Sequence, residues 1–262
     1  MSDVDRKHWS ALALIVPAGQ HYDHAPIVEA ILEIRVVPWE TQDLDALATT
    51  LAAPGYQDAT PDYSVTAEMG FDGDEVVSRA SRQHVGFSAL RDDGRRAIRA
   101  WSDRYTFSWL KPYEDWDSFI AEALDGWGRY REVARPATMV RIGCRFINRL
   151  DLDRPSIEVK DYLRTSIDIS PYLPQAMASF FAQVEIPLPQ GAVSRVLTTL
   201  AAPEQPDTTS LILDIDTWRN VEIDLATDVS ISDVEAHLDV LRDAKNYVFE
   251  ACITDATRGV IR

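Results

Sequence analysis

The sequence predicts an α+β protein in which antiparallel sheets carry long helices on one face. Apolar residues alternate with a period of two over several segments, and hairpin-type turns separate consecutive segments. Two further segments have the three-and-four spacing of an amphipathic helix. Residues 25–137 and 138–262 share one predicted order: strand, short helix, three or four strands, long helix. We therefore expect two pseudo-repeated β-α-β-β-β-α units behind an N-terminal arm of residues 1–24.

The first unit opens with a strand over residues 26–37, which has one fully apolar face. A short helix follows over residues 44–51, with Asp45 in its first turn. Residues 64–72, 76–90 and 95–110 are predicted strands, separated by the turns Asp72-Gly73 and Asp92-Asp93-Gly94. We place Trp101, Tyr105, Phe107 and Trp109 together on one face of the last of these, as core residues. A long helix from Pro112 to Arg135 completes the unit, with Trp116, Phe119, Ala123, Trp127, Tyr130 and Val133 on its apolar side.

The second unit repeats this order. A strand covers residues 138–150, a short helix 156–164, and further strands 180–187, 193–200 and 211–218, with another expected at 221–225. The last helix starts at Ser232, and Glu235 completes a capping box three residues later. Its apolar stripe consists of Val234, Leu238, Leu241, Val248 and Cys252. If the two halves join edge to edge, the result resembles a TATA-binding-protein-like or helix-grip fold, and one continuous domain without symmetry is the alternative.

The net charge of −16 argues against a general nucleic-acid binder and against attachment to anionic lipid. Ten acidic residues and one basic residue lie between Glu204 and Asp239, a segment that favours docking of a basic protein partner. Cys144 and Cys252 each lie in an apolar run, which is typical of buried, reduced thiols. No segment has the length and composition of a signal peptide or a membrane span, so we expect a cytoplasmic, non-membrane protein.

The candidate site residues lie on the two opening strands. Arg141, Arg145 and Arg149 share one face of the second opening strand with Met139, Gly143 and Ile147. Glu29, Glu33 and Arg35 share the outer face of the first. If the strands are neighbours, glutamates and arginines would form an ionic ladder across them. The functional alternative is an arginine-lined surface for phosphate or carboxylate, with some arginines left unpaired.

Asp214 and Asp216 place two carboxylates on one face of a predicted strand. Such a pair is compatible with Mg²⁺ binding, but it is also typical of a solvated strand face. The sequence contains none of the common catalytic or nucleotide-binding motifs, and no two of its five histidines have metal-ligand spacing on a helix. We therefore predict no catalytic residue, no metal and no cofactor, and leave the oligomeric state open.

Four segments in combination resemble a sporadically distributed prokaryotic family of about 250 residues: Tyr22–Ala30, Leu110–Trp116, Arg141–Arg149 and Phe249–Asp255. The resemblance covers nearly the whole chain and implies no established activity or cofactor. The patchy distribution of that family is similar to that of accessory or defence-linked genes. It implies a non-catalytic interaction protein, such as an antitoxin or a subunit of a defence-linked complex. A binder of a small anionic ligand or nucleotide, acting through the three arginines, is the alternative.

Overall fold

The computed structural model describes residues 19–38, 43–72, 75–226 and 231–262. Within these ranges, nine strands form one antiparallel sheet: β1 (Ile27–Val37), β2 (Thr60–Asp72), β3 (Glu75–Leu90), β4 (Arg96–Trp101), β5 (Arg104–Leu110), β6 (Thr138–Leu152), β7 (Phe181–Pro187), β8 (Ala192–Ala201) and β9 (Thr209–Asp224). The helices are α1 (Trp116–Ala134), α2 (Val159–Tyr162), α3 (Ile231–Cys252) and α4 (Asp255–Ile261), with short 3₁₀ helices at Asp45–Leu51 and Pro189–Gly191. The predicted α+β class with antiparallel strands is confirmed.

The sheet order is β2-β3-β4-β5-β1-β6-β9-β8-β7. The two opening strands, β1 and β6, therefore lie side by side at the centre of the sheet. On its other side each opening strand pairs with the last strand of its own half, β5 for β1 and β9 for β6. This arrangement brings the charged faces of the two opening strands next to each other.

The helices cover one face of the sheet, because apolar residues alternate along the strands and their side chains point to that face. Ala30, Leu32 and Ile34 of β1 are fully buried in the same cluster as the apolar side of α1. Five predicted apolar positions of α1 are buried, as are all five of α3. The opposite, outer face of β1 carries Glu33 and Arg35, as the period of two predicted.

Several predicted elements differ in detail. Residues 95–110 form two strands rather than one, because a turn at Ser102-Asp103 folds the segment into a hairpin in which Trp101 pairs with Arg104. Paired residues of a hairpin share a face, so Trp101 lies on the outer face and not with Tyr105, Phe107 and Trp109 in the core. The predicted strands at 211–218 and 221–225 are one strand, β9.

The second half holds three further differences. A register shift between Met139 and Arg141 turns Met139 into the core, where it is fully buried, so Met139 does not share the outer face with Arg141. The predicted helix at 156–164 is only the single turn of α2, and α4 was not predicted. Helix α1 begins at Trp116 rather than Pro112, with the Asp115 side chain accepting a hydrogen bond from the Ser118 N–H as its N-cap.

Some expectations fall outside the described residues. These are the arm up to residue 18, the glycine of the Asp72-Gly73 turn and the Ser232 side chain of the capping box. Cys144 and Cys252 are both buried free thiols, as predicted. No helix in the described ranges is long and apolar enough to cross a membrane.

Candidate functional site

A trough of about 600 Å³ lies on the outer, helix-free face of the sheet, across the junction of the two halves. Two rows of cross-strand neighbours build it. The first, which we call the arginine row, consists of Trp101, Arg104, Arg35 and Arg141 on β4, β5, β1 and β6. The second, the floor row, consists of Arg99, Thr106, Glu33, Gly143 and Trp218 on β4, β5, β1, β6 and β9.

Gly143 in the floor row allows the side chains of its neighbours to lie close together. Gly143 has no side chain, and a Cβ at this position would lie 2.9 Å from the Cβ of Trp218 and 3.3 Å from an Arg141 guanidinium nitrogen. Contacts below about 3 Å force neighbouring atoms to move. Glycine at 143 therefore lets the Arg141 and Trp218 side chains approach each other across the floor.

Glu33 is the anion that holds the arginine row together. Its carboxylate lies 2.7 Å from Arg35 Nε and 3.6 Å from Arg104, and it also accepts a hydrogen bond from Arg141. Like charges on directly opposite residues of neighbouring strands repel each other, and here Arg35 has an arginine opposite it on both sides. The Glu33 charge is shared among three guanidinium groups. Arg104 and Arg141 each contact a second carboxylate, Asp103 at 2.9 Å and Asp216 at 3.3 Å, whereas Arg35 has Glu33 alone among the described residues.

Asp216 provides the second carboxylate of the trough. It lies 3.3 Å from Arg141 and 3.9 Å from Arg195, and burial raises its pKa although both arginines oppose that shift. Burial also lowers the pKa of the Arg141 guanidinium, and this effect exceeds the opposing influence of Asp216 and Glu33. Desolvation thus disfavours the charged forms of both partners, so a further anion in contact with Arg141 would stabilise its charge.

The other predicted site residues have separate partners. Arg145 lines the trough, and its Nε–H donates to both carboxylate oxygens of Asp214, at 2.8 and 3.1 Å. These hydrogen bonds raise the pKa of Arg145. Arg149 lies outside the trough at the end of β6, where Asp151 at 2.9 Å and the Ser210 hydroxyl accept its hydrogen bonds. Glu29 also lies outside the trough lining.

These contacts match the predicted ionic ladder at one position only: Arg141 pairs with Glu33 of β1, whereas Arg145 pairs with Asp214 on β9 and Arg149 with Asp151 on its own strand. Arg141, Arg145 and Arg149 each have a carboxylate partner, so the expectation that some of these three stay unpaired is wrong. The unpaired cation of the trough is another residue. Arg99 is exposed at the end of the floor row and has no ion pair with any described residue.

Two tryptophans stand at opposite sides of the trough. The indole N–H of Trp101 donates to Asp62 at 2.7 Å, and the Arg104 guanidinium lies 5.0 Å from its ring centre. Trp218 lies beside Arg141 and Arg195, at 4.9 and 5.4 Å from its ring centre. All three guanidinium-to-ring distances are within the roughly 6 Å range of cation–π attraction. The aromatic rings thus help to hold the guanidinium groups in place.

The charge of the trough is opposite to that of the chain. Six arginines line it, against two carboxylates: Arg35, Arg99, Arg104, Arg141, Arg145 and Arg195 against Glu33 and Asp216. Neighbouring Asp103, Asp214 and Glu185 pair with Arg104, Arg145 and Arg195, so the excess that remains is one positive charge. A locally positive concave surface in a chain of net charge −16 is what a site for an anion requires.

Sequence reasoning missed half of this site. It identified the contributions of β1 and β6 but not Arg99, Arg104 and Arg195, nor the role of Gly143. Pairing of the predicted strands β8 and β9 could have indicated Arg195, because Arg195 is the cross-strand partner of Asp216, which was already a candidate residue. No such signal existed for Trp101 and Arg104, whose placement depends on the Ser102-Asp103 turn.

Neither a metal site nor a similarity to known proteins assigns a function to the trough. The described residues hold no group of three or more side chains arranged to bind a metal ion. Asp214 and Asp216, the pair considered for Mg²⁺, instead face Arg145 and Arg141. Comparison of the chain with protein-family models and with curated proteins found no match.

Proposed function

We propose that the protein binds an anionic ligand, carrying phosphate or carboxylate groups, in the trough and that it acts by binding rather than by catalysis. The observation that carries the proposal is the arginine row, in which Arg104, Arg35 and Arg141 are direct neighbours on three adjacent strands. Such an arrangement places like charges side by side, and the carboxylates of Glu33, Asp103 and Asp216 offset part of the repulsion. A bound anion would relieve it.

The chemistry of the side chains suits phosphate and carboxylate groups. A guanidinium presents planar, paired N–H donors that match two oxygens of such a group, and it stays charged at all physiological pH values. Arg35 is 43% exposed and Arg99 is exposed, so both have donors free to turn towards a ligand. Arg141 and Glu33, which are less exposed, provide the fixed base of the site.

Ligand-dependent thermal stabilisation tests this proposal, with inorganic tripolyphosphate as the probe. We expect tripolyphosphate to raise the melting temperature of the natural chain at low ionic strength, and less so at high salt. Arg35→Ala and Arg99→Ala should each weaken binding about tenfold, since a hydrogen bond to a charged group is worth at least ~1.5 kcal/mol.

Arg95→Ala is the matched control, because Arg95 is an exposed arginine near the start of β4 that does not line the trough. It should bind tripolyphosphate as the natural chain does. If the natural chain gains no stability from tripolyphosphate, or if Arg95→Ala weakens binding as much as Arg99→Ala, the trough is not an anion site.

The proposal includes the finer description of the fold, two pseudo-repeated units that form a saddle of the TATA-binding-protein-like or helix-grip kind. The pairing order supports it, since each half arranges its strands in the same way outward from the central pair β1 and β6. In such a saddle the uncovered concave face is the binding surface, which agrees with the position of the trough. Fold analogy alone implies no ligand.

A second candidate function, a protein-interaction module, is favoured by a separate feature. Residues 75–85 of β3 pair with β2 alone, so this part of the hairpin extends beyond the rest of the sheet. Val65 and Met69 on β2 are 67% and 79% exposed. Two-stranded hairpins are marginally stable in water by themselves, and an open strand edge can accept a strand from another protein.

Affinity purification from the native host, with the natural chain and a Val65→Lys, Met69→Lys double variant side by side, tests this second candidate. We expect the natural chain to retain a stoichiometric protein partner that the double variant loses. Retention of the same partner by both chains would exclude the β2 edge as the interaction surface.

A further inference from the structure

We propose that the anionic ligand of the trough is a nucleoside phosphate, whose base stacks on Trp218 while its phosphates contact the arginine row. This inference rests on the proposed function and specifies its ligand. Its basis is that the trough combines a cationic row with an aromatic ring, Trp218, that is only partly buried and borders the open space.

Trp218 differs from the other tryptophan of the trough in the hydrogen bonding of its indole N–H. The Trp101 indole N–H is bonded to Asp62, which in turn accepts a hydrogen bond from the Ser88 hydroxyl at 2.9 Å. The indole N–H of Trp218 has no hydrogen-bond partner in the described part of the chain. Trp218 is only partly buried, so its ring borders the open trough.

The side of Trp218 that faces the middle of the trough already contacts a guanidinium group. Gly143 is the cross-strand partner of Trp218 on β6, and the Arg141 guanidinium and the Trp218 side chain fill the space that its missing side chain leaves. A base that binds at Trp218 would contact the indole together with this guanidinium, and guanidinium planes also stack on bases. Base–aromatic stacking works for every base, because each base has a π-face.

The arginine row lies at a suitable distance from this ring. Trp218 is on β9, Arg141 is on the adjacent β6, and Arg35 is on β1 beyond it. With strands about 4.8 Å apart, the row therefore begins about 5 Å from the strand of Trp218 and continues to about 15 Å at Arg104. A base on Trp218 would place an attached phosphate chain along Arg141, Arg35 and Arg104.

Asn220 adds a group that can bind a base edge. It lies on β9 two residues after Trp218, lines the trough and is exposed. Its amide offers both a donor and an acceptor, so it can pair with polar atoms of any base. Stacking together with one adaptable amide predicts affinity for nucleotides with little discrimination between bases.

Calorimetric titration of the full chain, without added metal ion, tests the proposal with ATP, inorganic tripolyphosphate and adenosine as probes. Tripolyphosphate carries the same phosphate chain as ATP without the nucleoside. We expect ATP to bind at least tenfold more tightly than tripolyphosphate, because stacking adds to the phosphate contacts. GTP should bind within a fewfold of ATP, and adenosine alone should bind far more weakly than either.

Two variants at the stacking position separate the base contact from the phosphate contact. Trp218→Leu removes the aromatic ring that also contacts Arg141 and Arg195, so it should remove the preference for ATP over tripolyphosphate, measured as the ratio of the two affinities in the same variant. Trp218→Phe keeps a ring and should retain most of the ATP preference. Thermal unfolding of both variants checks that the sheet is intact.

The outcomes distinguish this inference from the proposed function. Equal affinities of the natural chain for ATP and tripolyphosphate would overturn the nucleoside phosphate and leave the anion site standing. A preference for ATP that survives Trp218→Leu would overturn the role of Trp218. If neither ATP nor tripolyphosphate binds, both the inference and the proposed function are refuted.

Discussion

Replacing Glu33 by Gln should lower the stability of the protein and raise its affinity for anions at the same time. The Glu33 carboxylate is the shared partner of Arg35, Arg104 and Arg141. Glutamine has nearly the same shape but no charge, so the three guanidinium groups lose their common counter-ion. A bound anion would supply the negative charge that the carboxylate no longer provides.

The size of the stability loss follows from the burial of the cluster. The side chains of Glu33 and Arg141 are 20% and 14% exposed, so this contact is largely shielded from water. Removing one partner of a fully buried ion pair costs about 3–5 kcal/mol. Because Asp216 still accompanies Arg141 and Arg35 remains exposed to water, we expect the lower end, about 3 kcal/mol. For a chain of this size that corresponds to a fall of roughly 6–12 °C in melting temperature.

Thermal unfolding at low and high salt, with and without tripolyphosphate, measures both effects. The stability difference between Glu33→Gln and the natural chain should shrink as salt or tripolyphosphate is added, since both screen or neutralise the arginines. Glu29→Gln is the matched control on the same strand, because Glu29 has no ion pair with any described residue. An unchanged melting temperature, or a weaker affinity of Glu33→Gln for tripolyphosphate, would show that the row is not held as described.

Three further predictions concern the core and the second half. Burial and a neighbouring arginine lower the pKa of His237, so the unfolded chain takes up a proton near pH 6.5 before the folded chain does. The free energy of unfolding should therefore fall as the pH drops from 6.5 towards 5. Denaturant titrations should show a smaller fall for His237→Gln. Gly126→Ala would bring a Cβ to 2.1 Å from the hydroxyl of the buried Tyr105 and should lower the free energy of unfolding by about 2–3 kcal/mol. Gly128→Ala on the same helix meets nothing within 4 Å and should be neutral or slightly stabilising in the same assay. Glu250→Gln should cost about 3 kcal/mol in chemical unfolding, since it leaves the buried Arg258 guanidinium without its main counter-ion; a loss below 1 kcal/mol would contradict a buried ion pair.

The sequence predicts the central part of the fold and of the site because two strands carry strong alternation. Ala30, Leu32 and Ile34 on one side and Glu33 and Arg35 on the other leave a single way to place β1 in a half-buried sheet. The same order of elements in both halves then suggests that the opening strands are neighbours, and this pairing is observed. The ion pair between their outer faces, Glu33 with Arg141, joins residues that are diagonal neighbours in this register.

The outer parts of the trough were not predictable because they depend on a turn without a strong local signal. Ser102-Asp103 contains no glycine, and the aromatic residues on both sides suggested one continuous strand. Folding the segment into a hairpin moves Trp101 from the expected core position to the outer face and places Arg104 opposite it. The bulge after Met139 has a similar effect on a smaller scale.

A strongly acidic chain carries the proposed anion site in an arginine-lined trough. Long-range attraction is not available at a net charge of −16, so any anion must be held by contacts within the site. The sheet brings arginines from both halves of the chain onto adjacent strands, where Glu33, Asp103 and Asp216 are their counter-ions. Three arginines side by side are less stable than a row of alternating signs, because like charges on directly opposite residues repel each other. The order of charges in the row, rather than their number, is therefore the strongest support for the proposed anion site.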